Sequence, residues 1–292
     1  MTENTLAFAI DLFEKTTRSR VHSIRKLEGG IANDLYFINL SFVLRIRLDN
    51  ETDKPFYRPG EELSILKNTS GPISPELYAF DTSTGNMLCR YIKAGEMKEE
   101  KDASFRLYRN LIGSVKLLHA TKIDNTAISF FDPLERLKRY RELSETSFDA
   151  NYEGRAVAEA CDAFERSPKL LCHNNLNRSN FIYDSASDSV KLIDFEFASI
   201  NYEIFDIASI LSENGIDGRL RERLILSYYG AKNVTNELLE DVDRVIAFED
   251  LFWYYWSMAR YKETLRQDFL DIAKEKMARV RKRMRQGKKQ IQ

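Results

Sequence analysis

Three side chains that offer oxygen, set at a fixed interval, are the part of this sequence best able to do chemistry. Asn175 lies in His173-Asn174-Asn175-Leu176, Asn180 follows five positions later, and Asp194 closes the apolar run 190–193 as Asp194-Phe195-Glu196. Moving a phosphoryl group from ATP to a hydroxyl uses parts of this kind. A loop side chain beside the acceptor hydroxyl, an amide oxygen shortly after it and a carboxylate at the end of a buried strand together hold the acceptor and Mg²⁺ in line.

Such groups act only if rigid elements carry them. Short apolar runs at 170–172, 181–183 and 190–193 predict strands around the loop. Upstream, Leu6, Ile10, Leu12 and Phe13 fall near helical spacing and predict an amphipathic helix over 3–17. Runs at 21–27, 35–40 and 42–48 are rich in β-branched and aromatic residues and are separated by turn formers, so three antiparallel strands are expected. Gly29-Gly30 between the first two reads by itself as a hairpin turn; paired glycines also let a backbone close on a phosphate. In Phe42-Val43-Leu44-Arg45-Ile46-Arg47 the two arginines share a strand face, either to meet phosphate or to keep that face soluble.

A helix is expected over 58–67, opened by Pro59, with Glu61 and Glu62 in its first turn. Two more strands follow, at 71–80 and 86–92. Beyond them, helices are expected over 103–119, 133–145 and 151–165. Phe248-Glu249-Asp250-Leu251-Phe252-Trp253-Tyr254-Tyr255-Trp256 predicts a further helix with both tryptophans on one face, which by composition alone is core packing.

Bulk properties set the frame. A chain of 292 residues, 43% hydrophobic and 30% charged, suits two lobes, and a net charge of −1 points to no nucleic-acid partner. Cys89, Cys161 and Cys172 show no paired spacing, and no apolar run approaches membrane-spanning length, so a cytoplasmic location is expected. The basic run 274–289 reads as a solvated helix end, with weak attraction to anionic lipid surfaces as the alternative.

The stretch 170–208 resembles the catalytic core of the choline/ethanolamine kinase family, within the protein-kinase-like phosphotransferases that include aminoglycoside kinases. The family pattern is His-Asn-Asp-Leu-x-x-x-Asn, then Ile-Asp-Phe-Glu-Tyr, Asn-Tyr and Phe-Asp. This chain has His173-Asn174-Asn175-Leu176, Asn180, Ile193-Asp194-Phe195-Glu196-Phe197, Asn201-Tyr202 and Phe205-Asp206. The resemblance implies an α+β, two-lobe protein-kinase-like fold: an N-terminal antiparallel-sheet lobe over 1–92 and a mostly helical C-terminal lobe over 93–292, with ATP between them. It implies that Gly29, Gly30, Ala32 and Asn33 cover the nucleotide, that Arg45 meets its phosphates with Glu62 or Glu61 as partner, and that Arg90, Tyr91 and Ile92 form the adenine hinge.

By the same resemblance Asn180 and Asp194 hold Mg²⁺, Glu196 adds a water-mediated contact near the acceptor, and His173 and Asp206 support the loop. Trp253 and Trp256 resemble the aromatic wall of a choline site, and Glu213 matches a family glutamate there. Aromatic faces with carboxylates suit a quaternary ammonium, which donates no hydrogen bonds. The implied reaction transfers the γ-phosphate of ATP to choline, or to ethanolamine.

One position departs from the pattern. The family's catalytic aspartate falls on Asn175, which can orient a hydroxyl but cannot take its proton. An aspartate replaced to trap a complex and a natural variant of weak activity both fit. The rival readings are a kinase for another small alcohol or an aminoglycoside, and a pseudokinase that binds nucleotide or choline without turnover.

Overall fold

A computed structural model describes residues 3–27, 33–48, 51–95, 103–123 and 127–289. In chain order the elements are α1 (Glu3–Thr17), β1 (Ile24–Leu27), β2 (Asn33–Ile38), β3 (Phe42–Arg47), α2 (Pro59–Thr69), β4 (Leu77–Phe80), β5 (Met87–Arg90), α3 (Ala103–His119), α4 (Pro133–Ser144) and α5 (Ala150–Glu165). There follow β6 (Lys169–Cys172), β7 (Phe181–Asp184), β8 (Ser189–Leu192), β9 (Ser199–Tyr202), α6 (Glu203–Glu213), α7 (Gly218–Tyr229), α8 (Asn236–Thr264) and α9 (Gln267–Lys289). They group into two compact units: Met1–Asp49, Tyr57–Ala127 and Ser179–Glu196 form the first, and Asn50–Phe56, Ile128–Arg178 and Phe197–Gln292 the second. No helix among the described residues is long and apolar enough to cross a membrane.

The first unit is built on a five-stranded sheet of order β1-β2-β3-β5-β4, antiparallel throughout. Strand alternation decides what each face does. Leu44 and Ile46 of β3 join Tyr36, Ile38, Leu88 and Phe13 of α1 in one core cluster, which leaves Arg45 on the opposite face. Asn39 and Leu40, both at positive φ (48° and 56°), make the two-residue turn between β2 and β3. The turn ends β2 at Ile38, so the strand expected to run to residue 40 stops two positions short. The strand expected from Gly71 likewise starts only at Leu77, since Pro72 and Pro75 have no N–H to give a ladder. The β7–β8 hairpin is fastened to this unit by Leu192 N donating to Ile73 O, 2.8 Å, and by the Lys191 ammonium on the carbonyls of Gly71 and Pro72, 2.7 and 2.9 Å.

The second unit is helical apart from the antiparallel pair β6–β9. Its axis is α8, 29 residues long, which packs against α4, α5, α6 and α9. Phe248 and Phe252 of α8 meet Phe131, Tyr140, Phe164 and Phe205 in a connected set of edge-on and tilted ring contacts. Each aromatic side chain fully buried there contributes about 1.5–3 kcal/mol of transfer free energy, so α8 is a firm support for the side chains it presents. Thr235 caps its N-terminus by accepting from Leu238 N.

Candidate active site

In the first unit the sheet face opposite the core carries a buried ion pair. Arg45 donates from Nη1 and Nη2 to Oε1 and Oε2 of Glu62, at 2.6 and 2.8 Å, with the two side chains 3% and 2% exposed. Of the two glutamates open to it in α2, Glu62 is therefore the partner; Glu61 does not take that place. Nη2 also donates to Gly85 O, 2.8 Å, and Tyr57 donates its hydroxyl to Glu62, 2.6 Å. Burial alone would lower the Arg45 guanidinium, and Glu62 more than reverses this, holding it above its ordinary value. Its remaining reach is toward Asp194, whose Oδ1 lies 3.7 Å from Nη1.

Asp194 follows β8 in the left-handed region, φ 64°. Its Oδ1 is buried without a hydrogen-bond partner. Burial pushes its carboxyl up to about 6, with Glu62 adding to the rise and Arg45 opposing it. Asn180 is buried immediately before β7, and its carbonyl accepts from Ile193 N at 3.0 Å, so the backbones at Asn180 and Asp194 are tied one residue from the carboxylate. Ser179 Oγ donates to Asn180 Oδ1, 3.3 Å.

Asn33 opens β2, with its side-chain oxygen buried and without a hydrogen-bond partner; Gly29, Gly30 and Ala32 lie outside the described residues. At the expected hinge Arg90 is exposed and paired with Glu76, Tyr91 stacks at a tilt on Phe37 with ring centroids 4.4 Å apart, and the amides of Arg90 and Tyr91 donate to Glu76 O and Ser41 O. Ile92 follows, half-buried.

In the second unit β6 runs into the turn 173–176. The Asp206 carboxylate, fully buried on the first turns of α6, accepts from His173 N at 2.8 Å and Asn174 N at 2.7 Å. Asn174 holds φ 66° and is fixed by its own amide on Phe197 O, 2.9 Å, and by Asn201 Nδ2 on its Oδ1, 2.7 Å. Leu176 N donates to Ser209 Oγ and Asn214 Nδ2 to Leu176 O. A sharp left-handed turn is thus clamped on both sides, and Asn175, half-buried at its apex, has Oδ1 accepting from Asn177 Nδ2 at 2.9 Å. Glu196, half-buried, lies in the short helical turn Phe195–Phe197.

Trp253 and Trp256 sit edge to face on α8, centroids 5.5 Å apart at 86°, with Phe197 edge-on to both. Trp256 donates its indole N–H to both oxygens of Asp53, 3.1 and 3.2 Å, and Tyr140 donates its hydroxyl to the same carboxylate, 2.9 Å. Burial raises the Asp53 carboxyl, against the pull of these two donors and of Arg260 and Arg136. Nothing in the sequence around Asp53 marks it, because its partner is 203 positions away. Glu213 is held by Lys276 and Arg279 of α9. The sequence places Lys276 in a run read as solvated; it is 3% exposed.

The observed architecture, an antiparallel sheet unit followed by a mostly helical part, is that of the protein-kinase-like phosphotransferases. Over most of its length the chain superimposes on a choline/ethanolamine kinase family protein from Mesorhizobium loti, with TM-score 0.74 at 21% identity, covering 96% of this chain and 93% of that one. It also superimposes on choline kinase LicA from Streptococcus pneumoniae, with TM-score 0.72 at 19% identity, covering 93% and 97%; LicA is known in complex with AMP. Ethanolamine kinase 1 of Mus musculus is 26% identical over 299 residues, covering 86% of this chain and 81% of that protein. The family model for choline/ethanolamine kinase matches residues 24–228, and the chain belongs to that family.

Proposed function

We propose that this protein transfers the γ-phosphate of ATP to the hydroxyl of a small amino alcohol, choline or ethanolamine, in the cytoplasm. The observation that supports this most is Asp194: a carboxylate in a left-handed backbone position, with a buried oxygen lacking a hydrogen-bond partner, beside a guanidinium already neutralised by Glu62. A buried oxygen of this kind is stabilised by a hard cation, and with Asn180 the donor set is all oxygen, which fits Mg²⁺. Bound there, Mg²⁺ would neutralise phosphate charge.

The chain's own residues have separable tasks. Arg45 supplies fixed positive charge, held in place by Glu62, for the nucleotide phosphates, with Gly29, Gly30, Ala32 and Asn33 over them and Arg90, Tyr91 and Ile92 at the adenine. Asp206 locks the turn that presents Asn175, and His173 belongs to the same braced turn. Trp253 and Trp256 form an aromatic wall for the acceptor, and Glu196 serves the acceptor through water. Asn175 can accept a hydrogen bond from the acceptor hydroxyl and so orient it, but an amide takes no proton. General-base help commonly contributes about 10²–10⁴-fold.

Asn175→Asp therefore raises turnover of ATP with choline or ethanolamine by about 10²-fold or more, while nucleotide affinity stays within about twofold. Labelled ATP and a panel of amino alcohols, with both forms of the protein, measure it; an unchanged rate refutes the assignment of Asn175. The amide at this position also favours a second reading, a nucleotide-binding pseudokinase, for which neither form would give phosphorylated product.

A further inference from the structure

Glu213 is not available as the sequence pattern suggests. The Lys276 ammonium lies on its Oε2 and Arg279 Nη2 on its Oε1, the latter at 3.0 Å. Arg279 and Arg283 also bind Asp250, which is fully buried on α8, through contacts of 2.7 to 3.2 Å. Burial would raise the Glu213 carboxyl, but Lys276 and Arg279 overcome this and hold it below the ordinary carboxylate range. Three cations from α9 thus face two carboxylates, and neither carboxylate is left uncompensated for an incoming cation.

The neighbouring acid is of a different kind. Glu249 is fully buried, and burial first, then Glu213 and Asp250, drive its carboxyl well above the ordinary range. Ser212 Oγ lies 3.3 Å from both Glu213 Oε1 and Glu249 Oε2. One hydroxyl proton cannot serve both carboxyls at once, so at least one of the two contacts is left without it. The other oxygen of Glu249 has no hydrogen-bond partner. Nor do Trp253 Nε1 and Ser257 Oγ, one and two turns further along the same face of α8; all three atoms are buried.

Buried polar atoms of this kind want hydrogen bonds, and a trimethylammonium group can give none. A primary ammonium can donate to the free Glu249 oxygen and to Ser257. Resting on the amino-alcohol function proposed above, we infer that Lys276 sets acceptor specificity: by holding Glu213 it withdraws the carboxylate a quaternary ammonium requires, and the buried oxygens of Glu249 and Ser257 select an alcohol bearing a primary ammonium.

Trp253 and Trp256 are the two tryptophans of the chain, so intrinsic fluorescence reports ligand at this wall without need of turnover. Titration with ethanolamine and with choline should give a dissociation constant at least about tenfold lower for ethanolamine. Ser257→Ala should weaken ethanolamine about fivefold to tenfold, and Lys276→Met, which frees Glu213 from its ammonium, should strengthen choline about tenfold, whereas Lys276→Arg should not. Thermal unfolding by circular dichroism checks that each variant is folded; if Lys276→Met is not, the wild-type ratio and Ser257→Ala still decide. Choline binding as tightly as ethanolamine, or a folded Lys276→Met that leaves choline within about twofold, overturns the role of Lys276 alone. If neither amino alcohol changes the fluorescence of any form, the amino-alcohol function falls with it.

Discussion

Replacing Glu62 by glutamine separates a buried charge from its partner with almost no change of shape. In the native protein Arg45 makes two parallel charge-assisted hydrogen bonds to Glu62, both side chains nearly inaccessible, and Tyr57 donates a third to the same carboxylate. The introduced glutamine would keep one acceptor oxygen but turn an N–H₂ toward an Arg45 donor, leaving a guanidinium that cannot be deprotonated without its counter-ion. Removing one member of a buried pair costs about 3–5 kcal/mol. Asp194, 3.7 Å away, can move toward Arg45 and recover part of that, so about 3 kcal/mol is expected. With a urea slope of about 2 kcal/mol per molar, the unfolding midpoint falls by roughly 1.5 M. The double variant Arg45→Gln with Glu62→Gln removes both charges while keeping hydrogen-bonding groups, and should regain at least half of the loss. A loss under about 1 kcal/mol for Glu62→Gln, or a double variant less stable than the single one, would show that the pair is not the buried electrostatic unit described above.

Asp206→Ala strips the acceptor from two buried amides, His173 N and Asn174 N, at roughly 1–3 kcal/mol each; urea unfolding should show a loss of about 2–6 kcal/mol, Asp206→Asn losing less, and a loss below about 1 kcal/mol refutes the clamp. The Asp194 carboxyl is raised from 3.8 to about 6, so the folded state favours its protonated form: the stability it contributes is complete below about pH 4 and is lost as pH rises through 6. That is about 2–3 kcal/mol at 1.36 kcal/mol per unit. In metal-free buffer Asp194→Asn should therefore be the more stable protein at pH 7.5, with the difference vanishing near pH 4; equal midpoints at both pH values would refute it.

The strands and turns of the stretch 170–196 were legible because their information is local. Asn180, Asp194 and the strands beside them stand within twenty residues of one another, and strand alternation put Arg45 opposite the core residues Leu44 and Ile46. The choice of Glu62 over Glu61 was not legible, since adjacent residues of one helical turn differ only by the rotation of α2 about its own axis, which packing sets. Asp53 was invisible because a contact with Trp256 across 203 positions leaves no periodic trace. Lys276 was hidden differently. It sits in a run where most residues are basic, yet Ala273, Lys276 and Val280 form the buried stripe of α9, and an apolar pattern of that spacing is hard to see when one of its members is a lysine.

Arg45, Glu62, Asn180 and Asp194 all belong to one compact unit, while Asn175, Trp253, Trp256, Glu213 and Lys276 belong to the other. If the helical part accepts the alcohol as proposed, substitutions that reshape that site leave the residues of the guanidinium–carboxylate array in the sheet unit untouched. On the function proposed above, a lineage could change its alcohol while keeping its nucleotide chemistry, and a protein that lost turnover at position 175 would keep the Arg45–Glu62 ion pair and could regain turnover by a single base change.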